Sequence, residues 1–275
     1  MVAPNGARRT KADHPNLPMS EAEIVDAVAA AHAAGAQGAH VHVRDESGTH
    51  VLDAARYIAL TAALRARCGP DLIIQVTTEA VGRYTPEEQR ALVDTVRPQA
   101  VSIALQELFA DPDESAINRA FLERTIASGT AVQWILYAPN QIEQLVRFID
   151  EGIVPPEGTM LFVLGRYAES QESDPTDLLP FLATQAGQPT LREWSWSVCA
   201  FGRGETACLS TALALGGDVR IGFENSLWHA DGHVAQDNAE RVSAICALAD
   251  QLGLSPASPS DVAARLGFRS GRWHP

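Results

Sequence analysis

The sequence predicts an α/β chain folded as a (β/α)8 TIM barrel, a single domain over residues 1–275 with a short C-terminal extension from about 254. Three observations carry this expectation. Apolar runs of strand length alternate with helix-period stretches in about eight units without interruption. The length of 275 residues and the 46% hydrophobic content suit one large core. The first strand-to-helix turn, Asn5-Gly-Ala-Arg-Arg9, lacks the GxGxxG pattern of a doubly wound sheet, the main rival.

In chain order, Val2–Asn5 is a stub of strand followed by a polar, basic loop to Pro15. Ser20-Glu-Ala-Glu23 reads as a capping box, and its helix ends at Gly35. The strand within Gly38–Asp45 precedes a helix capped by Asp53, and Leu72–Val76 is a buried strand ending in Thr77-Thr78-Glu79. Thr85-Pro-Glu-Glu88 opens the next helix, and the strand Ala100–Leu105 delivers Gln106 and Glu107 at its end. A helix over 117–128 leads to the strand Ala131–Leu136, which ends at Tyr137; Pro139 then begins a helix closed by Gly152. Met160–Leu164, Glu193–Val198 and Asp218–Gly222 are the remaining strands, each followed by a helix. The tail carries Pro256, Pro259 and a helical patch over Val262–Leu266, expected to drape over a neighbouring surface.

Charge narrows the partners. A formal net charge of -13 and the absence of any Lys/Arg cluster exclude a general nucleic-acid binder. The start lacks a charged leader with an apolar core, and no apolar run approaches the roughly 18–20 residues of a membrane span, so a cytoplasmic setting is expected. Cys68, Cys199, Cys208 and Cys246 are scattered without a CxxC pair and read as reduced thiols.

The chemistry centres on His40-Val-His42. Alternate side chains of a strand share a face, so the two imidazoles project together, at the spacing of adjacent corners of a zinc tetrahedron. A third ligand must come from elsewhere. Glu224 follows the last strand, adjacent across barrel closure, whereas strand parity sends Asp45 away. His14, His32, His50, His229, His233 and His274 read as loop or helix residues without a metal role. Strand ends should gather Arg8, His40, His42, Thr77, Glu79, Glu107, Tyr137, Arg203, Arg220 and Glu224 at one mouth. Arg220 lies in a buried strand and needs a carboxylate partner or a substrate carboxylate. Phe201-Gly-Arg-Gly204 lies between a strand and a helix, where barrels build phosphate sites; a plain glycine-rich turn leaves the same pattern. Arg8, Arg9 and Lys11 read either as a solvated connector or as attraction for an anionic substrate.

Several stretches together resemble the β-keto acid cleavage enzymes, the family of the 3-keto-5-aminohexanoate cleavage enzyme type. They are Asn5–Arg8 with His14–Pro18, Gly35-Ala with His40-Val-His-Val-Arg-Asp45, Phe162–Gly165, and Gly216-Gly-Asp-Val-Arg-Ile-Gly-Phe-Glu-Asn225. The resemblance implies a (β/α)8 barrel, zinc held by His40, His42 and Glu224, and a homotetramer. The implied reaction joins a β-keto acid to acetyl-CoA and yields acetoacetate and a new acyl-CoA. Arg220 matches the family arginine that orients the acid. Thr77, Glu79, Tyr137 and Arg8 are then substrate-binding positions, and Gly202, Arg203 and Gly204 hold the CoA co-substrate.

The chain departs from the founding type at three places. Asn225 stands where that type has an aspartate paired with the arginine, Arg8 stands for a glutamate, and Glu107 for a threonine. Arg220, Glu107 and Asn225 are the catalytic candidates, with Glu107 or Glu79 available to replace the missing carboxylate. Two other readings remain: a zinc hydrolase on a barrel, and a non-catalytic ligand-binding barrel. The hydrolase normally needs histidines where this chain has Tyr137 and Gly165-Arg166.

Overall fold

A computed structural model describes residues 1–266; residues 267–275, His274 among them, lie outside the described part. Seven parallel strands form one sheet in sequential order: β1 (Gly38–Val41), β2 (Ile73–Thr77), β3 (Ala100–Ala104), β4 (Ala131–Leu136), β5 (Thr159–Leu164), β6 (Trp196–Ala200) and β7 (Asp218–Val219). The predicted first strand is reduced to a bridge, yet it joins the two edges. Val2 donates its N–H to Gly38 O and accepts from His40 N–H, while Ala3 N–H donates to Ile221 O and Ile221 N–H to Met1 O. The ring of strands is thereby closed, as a (β/α)8 barrel requires.

Helices cover the sheet between strands: α1 (Glu21–Ala33), α2 (Ala54–Cys68), α3 (Pro86–Val96), the single turn α4 (Leu105–Leu108), α5 (Ser115–Ala127), α6 (Asn140–Asp150), α7 (Leu178–Ala186), α8 (Glu205–Ala214) and α9 (Asn238–Gln251). The capping boxes predicted at Ser20 and Thr85 both form. Strand parity divides the core. Val41, Ile74, Val101, Val132, Trp134 and Phe162 face outward into the main cluster beneath the helices, while Ile135, Leu161, Val163 and Cys199 fill the barrel interior.

Local readings needed correction where backbone and tertiary partners overrode the pattern. The strand predicted over Glu193–Val198 runs from Trp196 to Ala200, because Trp194 N–H closes a turn onto Leu191 O. The chain turns helical at Leu105, so Glu107 sits on α4 rather than at a strand end. Asp218–Gly222 pairs as a two-residue ladder plus the Ile221 bridge, since its outer neighbour is only Val2. The tail helix α10 spans Pro259–Arg265, with Ser258 and Asp261 forming a capping box. It closes the N-terminal end of the barrel, where Leu266 packs on Ile73, Ala100 and Ala131. Among the described residues no helix is long and apolar enough to cross a membrane.

Trp134 is 1% exposed, and Trp134→Ala should cost about 3–5 kcal/mol, read as a lower urea midpoint at unchanged slope.

Candidate metal centre at the barrel mouth

β1 and the turn after it bring His40 and His42 into the barrel with their Nε2 atoms 3.1 Å apart. Glu224 Oε2 lies 3.5 Å from the first and 3.3 Å from the second. In a tetrahedral site with bonds near 2.0–2.1 Å, ligand atoms lie about 3.3 Å apart, so this triangle has the dimensions of three zinc corners. Glu224 Oε2 is buried and accepts no hydrogen bond. Converging imidazole nitrogens and an anionic oxygen fit a cation between them.

The protonation states agree. His40 Nδ1 donates to Gln75 Oε1 at 2.8 Å, which leaves the Nε2 lone pair facing Glu224. The Gln75 amide is oriented by its own donation to Gln133 Oε1, and Gln133 donates onward to Ser197 Oγ. A polar chain thus crosses the barrel beneath the site. Burial lowers the His40 imidazole to about 3 despite the nearby Glu224 charge, so the ring is neutral at physiological pH. For Glu224, burial opposes ionisation, but the Arg220 charge leads the influences that outweigh it and hold the carboxyl well below the usual range. Glu224 therefore splits its oxygens, giving Oε1 to Arg220 Nη2 at 3.0 Å and Oε2 to the imidazoles. This is the carboxylate partner that the buried Arg220 demanded.

The loop carrying Glu224 is clamped from several sides. Gly222 has φ +141°, and a Cβ there would meet Ala3 O and Asn238 Oδ1, so only glycine fits. Phe223 N–H donates to Asn238 Oδ1, Glu224 N–H to Ala3 O, and Arg9 to Phe223 O and Asn225 O. A Cβ on Gly6 would lie 2.5 Å from Glu224 Cγ. The basic loop read as connector or substrate attractor thus divides: Arg9 is structural, whereas Arg8 is exposed, with Nε 4.0 Å from Glu79 Oε1.

His40, Thr77, Glu79, Tyr137, Arg166, Phe201, Arg220 and Glu224 line one cavity at the mouth. Thr77 Oγ1 accepts from Glu79 N–H, and Glu79 Oε2 lies 3.9 Å from His42 Nδ1. Burial, with Glu79 and Glu107 nearby, raises the Tyr137 hydroxyl well above its usual value and keeps it a neutral donor. Glu107 is placed differently. Its Oε2 accepts from Ala80 N–H and Gln89 Nε2, tying the segment after β2 to α3 and α4. Burial raises its carboxyl and Glu79 adds to the effect. Asn225 is fully buried, its side-chain amide has no hydrogen-bond partner among the described residues, and it does not line the mouth.

At Gly202–Gly204 the backbone already holds an anion: Arg203 N–H donates to Glu172 Oε2 at 2.6 Å. A Cβ on Gly202 or Gly204 would collide with Glu172 or Ser173, so close packing by the loop after β5 is one reason for these glycines. The Arg203 guanidinium lies over Trp228, 5.1 Å from the ring centroid.

His14, His32 and His50 each bond a backbone carbonyl. His229, His233 and Glu240 form a second cluster of ligating types. There Arg241 Nη1 donates to His229 Nδ1, which puts the ring proton on Nε2 and denies an ion that lone pair. Sequence reasoning passed over Gln75 and Arg166, and did not read Arg9 as a clamp on the Glu224 loop. A lone amide in the otherwise apolar run Leu72–Val76 was the available signal for Gln75, and a strand-end arginine after Gly165 for Arg166.

Gln75→Leu keeps all three candidate ligands but removes the acceptor that orients His40, and should weaken divalent-metal binding by about 10–100-fold in a chelator competition titration. His40→Ala should abolish stoichiometric metal in elemental analysis.

Known proteins resemble the chain over nearly its whole length. A 3-keto-5-aminohexanoate cleavage enzyme from Acetoanaerobium sticklandii is 29% identical over 270 residues, 96% of this chain and 95% of the relative. A 3,5-dioxohexanoate:acetyl-CoA acetone transferase from Paraburkholderia graminis is 26% identical over 97% of this chain and 94% of its own length. In fold, the chain is similar to ObcA, solved as a binary complex with oxaloacetate: TM-score 0.73 at 16% identity, covering 92% of this chain and 68% of that one. The beta-keto acid cleavage enzyme family matches residues 1–268, and the chain belongs to it.

Proposed function

We propose that this chain is a zinc-dependent enzyme that exchanges acyl groups between a β-keto acid and acetyl-CoA, releasing acetoacetate and a new acyl-CoA. The observation that carries the reading is the His40/His42/Glu224 triangle beside Arg220 in a chain of this family. Zinc held there supplies Lewis acidity toward the keto and carboxylate oxygens of the acid.

The chain's own residues supply the rest. Arg220, whose burial is offset by its ion pair with Glu224, orients the acid's carboxylate. Tyr137 adds a neutral donor. Of the two carboxylates available as base, Glu79 faces the mouth, whereas Glu107 is committed to Ala80 N–H and Gln89. Glu79 therefore takes the proton from the carbon between the keto and carboxylate groups. That carbon attacks the thioester carbonyl of acetyl-CoA, forming a C–C bond and releasing the CoA thiolate. The thiolate then attacks the original keto carbonyl, and the C–C bond to the former α-carbon breaks. Acetoacetate leaves after recovering the proton from Glu79, and the remaining acyl group departs on CoA. The Arg203 N–H, which now holds Glu172, is the seat for a CoA phosphate once that carboxylate moves aside. Exposed Arg8 attracts the anionic acid. A homotetramer and a cytoplasmic setting belong to the same reading.

The test is incubation with acetyl-CoA and a panel of β-keto acids, with acetoacetate and new acyl-CoA followed by mass spectrometry. Glu79→Gln should lower kcat about a hundredfold or more while metal content stays stoichiometric. Glu172→Gln should lower the KM for acetyl-CoA. Absence of acyl exchange with any acid in metal-replete protein would overturn the reading.

A further inference from the structure

We propose that the acid cleaved here carries a second carboxylate on its side chain, and that Arg166, with Arg8 opposite, is the group that selects it. The proposal rests on the β-keto acid reading above and specifies its substrate. Arg166 follows β5 directly after Gly165, whose φ of +76° allows the sharp turn. The side chain returns into the mouth and is only 10% exposed. Its guanidinium carbon lies 5.3 Å from the Phe201 ring centroid and 5.7 Å from that of Tyr167. These rings support the guanidinium plane while its N–H groups remain available at the edge.

Those N–H groups are poorly served by the protein. Among the described residues the charge partner of Arg166 is Glu79, with Nη2 to Oε1 at 3.9 Å, too long for a hydrogen bond. The same oxygen is shared with Arg8 at 4.0 Å. A half-buried guanidinium with five donors and no protein acceptor within hydrogen-bond distance is open to a ligand that supplies one.

Counting charge at this wall decides the sign of the ligand. Arg8 and Arg166 face one carboxylate, Glu79, while Glu107 is tied to Ala80 N–H and Gln89, and Glu224 to Arg220 and the imidazoles. Arg9 stands close enough for Arg166 to weigh against its charge, though burial is the larger influence there. An ammonium-bearing side chain would meet two guanidiniums for one shared carboxylate. A neutral one would leave Arg166 without an acceptor. A carboxylate matches the planar fork and, by occupying both arginines, releases Glu79 to accept the α-proton.

The test uses three acids with one six-carbon chain: 3-oxoadipate, 3-oxohexanoate and 5-amino-3-oxohexanoate, each with acetyl-CoA. Wild-type kcat/KM for 3-oxoadipate should exceed that for 3-oxohexanoate by about a hundredfold or more, with the amino acid served worst. Arg166→Met should collapse the ratio of the first two toward one, and Arg166→Lys should restore part of it. A merely structural role would lower all three alike, and that result, or equal service of the neutral or amino substrate, overturns the proposal. Should none of the three react, the reaction assigned above fails, and calorimetric binding of unreactive adipate against hexanoate still decides this one. Adipate binding tighter than hexanoate and lost in Arg166→Met upholds it; equal binding sinks it.

Discussion

The structure depends on one largely buried carboxylate that serves two kinds of partner at once. Glu224 gives one oxygen to Arg220 and the other to the pair of imidazoles. Taking a carboxylate out of water is expensive, and removing one member of such a buried pair typically costs about 3–5 kcal/mol because the other charge is left uncompensated. The charge relay around Glu224 therefore binds stability to the site. Groups that hold Glu224 ionised also hold it aimed at His40 and His42.

Much of the remaining architecture keeps that carboxylate in place. The N-terminal segment closes the barrel through Val2 and, a few residues later, presents Gly6 against Glu224 and Arg9 to the carbonyls on either side of it. From the opposite side Asn238 links Phe223 N–H to Pro4 O. Behind the loop, the fully buried pair Glu205 and Arg241 joins α8 to α9. On the histidine side the amide chain Gln75, Gln133 and Ser197 spans the barrel floor beneath the site and selects the His40 tautomer. An apolar floor would pack as well but would leave the ring free to turn.

The outer wall of the mouth is built on a different principle. Its charges are close but not fully engaged: Glu79 stands near 4 Å from each of two guanidiniums, and Glu172 occupies a backbone donor on a glycine turn. Such contacts are easily exchanged for those of an anionic ligand as proposed above, whereas the candidate metal ligands are held in place on several sides. On the function proposed above, the division separates a rigid reacting centre from a wall that discriminates among substrates.

The sequence by itself determined the strand and helix cadence, the two imidazoles on one strand and the carboxylate after the last strand. These follow from local periodicity and from the rule that strand ends share one face of a barrel. Ser20 and Thr85 cap their helices as read, because capping is settled within four residues. What only the tertiary structure decided involves partners distant in the chain. Gln75 became the orienting acceptor because β1 and β2 are adjacent, and Arg9 reached Phe223 O because the barrel closes on itself. Glu107 turned from a strand-end candidate into an anchor because the backbone coils at Leu105. Arg166 gained its position over Phe201 from the packing of two neighbouring loops. No pattern along the chain records which side chains meet across a barrel's mouth; that is decided by closure, which converts separation in sequence into contact in space.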